Sequence, residues 1–392
     1  MSDQYEEGFF PAPIPESEVD QQRPEGSTPD PERKPLADLK VRPTPSAPET
    51  ADGDVKREAA EPTGAHRLKK GMVLNGHRLE SPIGGGKSVD TWHAEHPTLG
   101  PTFLKVIDDI VFPSNEIKRL DPEAFASGER VFIGFESLHQ MVLKDLSTRR
   151  PGDGALVTPI DMGRTSDGKI FKVTKFLARE FFDEITGKSK KASRDSLEPA
   201  IDPTSKSLRA NRWTAPQKIR FIRSTLLALW QLHRLGYVHG DVKPANLLAV
   251  NSPDGYLARI IDFDNCYISG APLDSALIGG DDTYFSPERS DYQTGDLDDS
   301  SLLATSSDLF SLALVLHKIL SDKQELPKWT PAVSGAASDA SRAGCSPSYL
   351  SLGTGNQYLE ELLKRCLLRD PRSRPTTYDL LVASGVYLEK ES

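Results

Sequence analysis

Asp241, Lys243 and Asn246 fall within six residues in the stretch "YVHGDVKPANLLAV", Tyr237 to Val250. An acid that can accept a proton, an ammonium that can neutralise an anion and an amide oxygen that can ligate a hard cation share one short turn. Apolar runs flank them, and a glycine, Gly240, separates His239 from Asp241. A second carboxylate, Asp262, follows an apolar, strand-like run in "IIDFDN". The set offers acid–base chemistry and cation binding, provided the chain brings the two segments together.

The elements that must do so can be read from periodicity. Order is expected to begin near Gly71, where "MVLNGHRLESPIGGGKSVDTWHAEH" leans toward strands around a glycine cluster. "PTFLKVID" is a further strand. Asp121 can cap a helix, Pro122 suits its first position and Glu123 its positive end. Phe125, Phe132, Phe135, Leu138, Val142 and Leu146 then recur at helical spacing. "ALVTPIDMGRTSDGKIFKVTKFL" predicts two strands around the turn "SDGK". Past Leu177 the pattern turns helical. "APQKIRFIRSTLLALWQLHRLG" is amphipathic, with Pro216 near its start and Gly236 at its end. "SSDLFSLALVLHKIL" is apolar nearly all round, as a buried central helix must be. "YLEELLKRCLLRD" and "TTYDLLVASGVYL" give two more helices. "FFDEITGKSKKASRDSLEPAIDPTSKS" and "PAVSGAASDASRAGCSPS" are expected to be loops.

Composition narrows the classes. A chain of 392 residues, 37% hydrophobic, can bury a sizeable core. Its net charge of -9 argues against a nucleic-acid partner. Cys266, Cys345 and Cys366 lack metal-ligand spacing, and so sparse a set suits a reducing cytoplasm. No apolar run reaches the length of a membrane span. Residues 1–66 are rich in Pro, Glu, Asp and Ser, with few aromatic or β-branched residues. They are expected to be a disordered tail rather than a secretory signal.

The landmarks "IGGGKS", "FLKVI", a glutamate-bearing helix, "HGDVKPANLL", "IIDFDN", "TYFSPER", "SSDLFSLALVL" and "LLRDPRSRPT" follow one another in this order. The order resembles the eukaryotic-type (Hanks-type) protein kinase family, bacterial serine/threonine kinases above all. The resemblance runs from Gly71 to about Leu388. It implies an α+β, bilobal fold: a strand-rich N-lobe with one long helix, 71–176, and a mainly helical C-lobe, 177–392. It implies ATP and Mg²⁺ as cofactors and a protein substrate with a Ser or Thr acceptor. Asp241 would be the catalytic acid that orients the acceptor hydroxyl, and Lys243 would neutralise the transferring phosphate. Asn246 and Asp262 would ligate Mg²⁺. Lys105 would contact the α- and β-phosphates and pair with a helix glutamate, Glu129 or Glu136. Gly84 and Gly86 would open the phosphate loop. Lys175 to Leu177 would be the hinge, with Thr174 guarding the pocket. Glu288 should pair with Arg374, and Asp308 should accept N–H bonds from the catalytic loop.

Departures from the family pattern are as informative. Val89 replaces the third glycine, Thr91 a valine and Phe103 a small alanine, so Phe103 is expected to crowd the adenine pocket. Gly240 stands where an arginine often pairs with a phosphorylated activation loop, whose candidate acceptors here are Ser269, Ser275 and Thr283. Asp264 replaces the glycine after Asp262-Phe263, and Asp281, in a threonine's usual place, could pair with Lys243. His239 is expected to pack rather than to act as a base, and His93, His139, His233 and His317 form no metal constellation. Two function classes stand open: a serine/threonine protein kinase, or a pseudokinase that binds or scaffolds. A small-molecule kinase of the same fold is a third.

Overall fold

The computed structural model describes residues 68–83, 89–148, 156–175, 200–201, 209–297, 299–332, 335–349 and 351–386. All of them belong to one unit, Val41–Ser392. The expected tail, the glycine cluster 84–88, Leu177 and most of the polar insertion after it lie outside the described residues.

An antiparallel sheet comes first: β1 (Val73–Leu74), β2 (His77–Pro82), β3 (Val89–His96), β4 (Gly100–Val111), β5 (Pro159–Arg164) and β6 (Lys169–Lys175). The strands lie in the order β1-β2-β3-β4-β6-β5. A short helix, α1 (Asn115–Leu120), which periodicity did not signal, leads into the long α2 (Pro122–Thr148). Asp121 caps α2 by accepting the Ala124 N–H at 2.9 Å. All six apolar positions expected along α2 are buried. Phe132 and Phe135 pack on Ile107, Ile110 and Ile170 of the sheet.

The chain then becomes helical: α3 (Ala215–Arg234), α4 (Pro287–Thr294), α5 (Thr305–Leu320), α6 (Ala337–Arg342), α7 (Gln357–Arg365) and α8 (Thr377–Ala383). The Gln217 side chain accepts the Thr214 N–H at 3.0 Å at the start of α3. Gly236, at φ +78°, takes the left-handed turn that follows it. Leu309 to Leu316 of α5 are buried except Ser311, as its all-round apolar pattern requires. Short strands thread this lobe: β7 (Ala200–Ile201), β8 (Tyr237–Val238), β9 (Leu247–Ser252), β10 (Gly255–Ile260), β11 (Tyr267–Ile268), β12 (Lys328–Thr330) and β13 (Ser346–Ser348). β9 and β10 form a hairpin, and β8 pairs with β11.

The stretch expected as one loop, "PAVSGAASDASRAGCSPS", instead folds as α6 and β13, the latter pairing with β12. Its small residues let the segment press against the core, where Ala337 and Ala340 are buried. Glu288, in the first turn of α4, pairs with Arg374 as expected, at 2.7 and 2.8 Å. The two side chains are 3% and 0% exposed, so neither charge is hydrated. Arg374 also donates to the carbonyls of Leu368, Ser306 and Arg369, which satisfies the remaining protons of its fork. Arg374→Met therefore leaves a buried, unpaired carboxylate and should cost about 3–5 kcal/mol in urea unfolding. A loss below about 1 kcal/mol, typical of an exposed pair, would show that the pair does not tie the helical lobe together.

Candidate active site

The catalytic loop is built on Asp308, buried in the first turn of α5. Its Oδ2 accepts the His239 N–H at 2.7 Å and its Oδ1 the Gly240 N–H at 3.0 Å. Oδ2 also accepts from His233 Nε2 at 2.9 Å, while His233 Nδ1 accepts from the Thr377 hydroxyl at 2.7 Å. Burial alone would raise the Asp308 carboxyl; the His233 hydrogen bond, with the neighbouring His239 N–H, brings it below its ordinary value. His239 is fully buried. It donates from Nε2 to the Ile261 carbonyl at 3.0 Å, and its Nδ1 accepts the Asp241 N–H at 3.3 Å. Both ring nitrogens are thus spent on backbone next to Asp241 and Asp262, a packing role.

Asp241, Lys243 and Asn246 come together as their spacing suggested. Lys243 Nζ lies 2.7 Å from Asp241 Oδ2. Asn246 Nδ2 donates to the Asp241 carbonyl at 2.9 Å and to Oδ2 at 3.0 Å. Asn246 sits in a single 3-10 turn, Pro244–Asn246, and its carbonyl accepts the Ile261 N–H at 3.0 Å. That bond sets Asp262 beside it, across one cleft.

Asp262 is a non-glycine residue at φ +64°. Such backbone costs about 1–3 kcal/mol and persists where surroundings impose it. Here Phe263 imposes it, buried against the His239 ring at 5.1 Å between centroids. Both Asp262 carboxylate oxygens accept from Lys105 Nζ at 2.9 Å. Asp264 lies 2.5 Å from the same Nζ and 2.8 Å from Lys172 Nζ. Burial favours the neutral acid at both positions. At Asp264, Lys172 and Lys105 overcome it and hold the carboxyl well below its ordinary value. At Asp262, burial and the neighbouring Asp264 charge outweigh Lys105, and its carboxyl is raised. Lys105 is raised as well, because the two carboxylates overcome its burial.

The expected glutamate partner of Lys105 is a correction. Glu136 faces Arg164 of β5, at 2.7 and 2.5 Å, with the guanidinium over the Phe132 ring. Glu129 stands half-buried on α2 and forms no ion pair with Lys105. The reason is the face that α2 turns toward the cleft, which carries Phe135 and His139 rather than a carboxylate. His139 is buried, and its Nδ1 accepts from Lys172 Nζ at 3.1 Å. Burial, and then the Lys172 charge, hold this imidazole well below its ordinary value, so it is neutral.

Asp281 is a second correction. Lys243 pairs with Asp241, whereas the Asp281 carboxylate caps its own turn by accepting the Thr283 N–H at 3.1 Å. The Asp281 N–H meets Asp241 Oδ1 at 3.3 Å. Gly240 lies at φ +76°, and a Cβ there would collide with the Asn265 carbonyl and crowd Tyr267. An arginine could enter this slot only if the loop moved.

Thr91, Phe103, Lys105, Lys172, Thr174 and Lys175 line the cleft above Asn246 and Asp262. Phe103 reaches the pocket as expected and stands opposite Thr174 in register. Of the hinge, Lys175 lines the cleft; Leu177, Gly84 and Gly86 lie outside the described residues. Sequence reasoning passed over Lys172. Alternation on β6 held the signal, since Lys172 is two residues before Thr174 and shares its face.

Comparison with known proteins decides the family. Residues 193–384 match the protein kinase domain model. That stretch, just under half of the chain, belongs to the protein kinase family. Among curated kinases it is similar to serine/threonine-protein kinase pkn3 of Myxococcus xanthus, 21% identical over 246 residues, covering 60% of this chain and 39% of that protein. Serine/threonine-protein kinase A of Synechocystis is 28% identical over 158 residues, 39% of this chain and 28% of that one. The chain thus spans well under half the length of these kinases. The solved PknI kinase domain of Mycobacterium tuberculosis aligns over 81% of this chain and 99% of its own, at 17% identity and a TM-score of 0.48.

Because Asp308 holds both loop amides, Asp308→Asn should speed hydrogen exchange at His239 and Gly240 by about tenfold or more, the scale of losing a charge-assisted bond. Unchanged protection at these two amides would show that the loop holds itself.

Proposed function

We propose that the protein is an ATP- and Mg²⁺-dependent kinase that transfers the γ-phosphoryl group to serine or threonine hydroxyls of a protein substrate. The carrying observation is the convergence of Asp241, Lys243, Asn246, Asp262 and Lys105 on one cleft. Asp241 would orient the acceptor hydroxyl and take its proton, with Lys243 beside it to offset charge on the transferred group. Lys105 would meet the nucleotide phosphates. Lys175 would begin the hinge between an N-lobe of 71–176 and a C-lobe of 177–392.

The residues fit a magnesium ion. Asp262 supplies hard carboxylate oxygens, and Asn246, whose amide nitrogen is spent on Asp241, would bind through its amide oxygen. When bound, the ion would supply positive charge against the phosphates.

A scaffold without chemistry finds less support. Asp264 is absorbed by two lysines, and Asp281 by its own turn and the Asp241 contact. Neither removes a polar group from the cleft. The similarity to serine/threonine protein kinases favours a protein over a small-molecule acceptor. Among the described residues no helix is long and apolar enough to cross a membrane. Three buried free thiols suit a reducing cytoplasm, where we place the activity.

The test is phosphoryl transfer from Mg²⁺-ATP to a panel of proteins by the full chain. Wild type should label serine or threonine, and Asp241→Asn should lower kcat by about 10²–10⁴-fold. Equal turnover in the variant, or none in wild type with any substrate, would refute the reading. With no cation at Gly240 to reward loop phosphorylation, phosphatase-treated enzyme should keep most of its activity; a drop of about tenfold, restored by rephosphorylation, would contradict that.

A further inference from the structure

Lys105 and Lys172 are direct partners across β4 and β6, so their side chains rise from the same face of the sheet. Like charges placed opposite one another repel. Here both are largely buried, at 21% and 5% side-chain exposure, where water screens them poorly. One carboxylate lies between them: Asp264, through Oδ2 to Lys105 at 2.5 Å and Oδ1 to Lys172 at 2.8 Å. The face of α2 above this cluster offers only Phe135 and the neutral His139.

We propose that Asp264 is the positioning residue for Lys105, bridging it to Lys172, in place of a carboxylate from α2. Lys172 and Asp264 explain each other. A second lysine on β6 would be repelled without Asp264, and a second carboxylate beside Asp262 would be repelled without Lys172. The bridge joins the sheet to the Asp262 segment directly. The orientation of Lys105 therefore does not depend on α2 turning a glutamate inward, and α2 movement does not switch the cleft. The assignment rests on the kinase reading for what Lys105 binds, and on geometry alone for where it is held.

Two readouts test it. Acylation of lysines by an activated ester, followed by mass spectrometry, reports how well each amine is sequestered. In Asp264→Asn, labelling of Lys105 and Lys172 should rise by about tenfold, equivalent to about 1.4 kcal/mol of lost protection. In Glu129→Gln and Glu136→Gln, Lys105 should stay protected, while Asp262→Asn, which touches Lys105 but not Lys172, should expose Lys105 alone. Titration with ATP and Mg²⁺ should show weaker nucleotide binding in Asp264→Asn and unchanged binding in the two glutamate variants. If either glutamate variant exposes Lys105 as Asp264→Asn does, the helix supplies the anchor and the proposal is wrong. It is equally wrong if Asp264→Asn leaves Lys105 protected. Should Asp264→Asn fail to fold, protection of Lys105 in both glutamate variants rules out the helix as its anchor, and exposure in either overturns the proposal. A wild type that binds no nucleotide would sink the kinase reading, while the labelling result would still decide the bridge.

Discussion

Asp308 sits in the first turn of α5, 2% exposed, with the amides of His239 and Gly240 and the imidazole of His233 directed at its two oxygens. A buried carboxylate is tolerable only when donors of this kind replace water. The helix N-terminus adds favourable partial charge. Because α5 is buried on nearly every side, it is packed into the core, and Asp308 ties the loop to it. His239 then extends the tie through Ile261 to the Asp262 segment, and Asn246 closes the circuit through the Ile261 N–H. Withdraw the Asp308 carboxylate, and both acids of the cleft lose their reference to the core.

The second constraint is electrostatic. At one wall of the cleft Lys105 and Lys172 pack against Asp262 and Asp264, all four side chains largely withdrawn from water. Each lysine is offset by a carboxylate, with Asp264 shared between them. This is a denser arrangement than a lone lysine–glutamate pair. It leaves α2 free for a different contact, the forked Arg164–Glu136 pair over Phe132. Packing explains the exchange. Phe135 and His139 fill the cleft face of α2 with rings, so a glutamate on that turn points elsewhere.

Much of this was legible in the sequence. The α2 stripe from Phe125 to Leu146, the hairpin around "SDGK" and the buried α5 all follow from periodicity, because in each the side-chain pattern matches the element's own repeat. The Glu288–Arg374 pair and the Asp308 anchor followed from the order of landmarks. Tertiary choices were not legible. Lys105 chose its carboxylates by cross-strand register and by which face α2 turned inward, and neither is written in local spacing. Lys172 was hidden among solvated-looking lysines, though its alternation with Thr174 marked its face. Small residues misled as well. "GAASDASRAG" reads as a loop by composition, yet packs as a short helix because alanine and serine fit close to the core.

The central claim is that Asp262 and Asn246, beside Lys105, make this cleft a metal–nucleotide site. Calorimetric titration of the full chain with a non-hydrolysable ATP analogue, with and without Mg²⁺, tests it most directly. The account predicts binding that weakens by about tenfold or more, roughly 1.4 kcal/mol, when Mg²⁺ is withdrawn. It predicts the same weakening with Mg²⁺ present in Asp262→Asn. Affinity that is indifferent both to the metal and to Asp262 would contradict it.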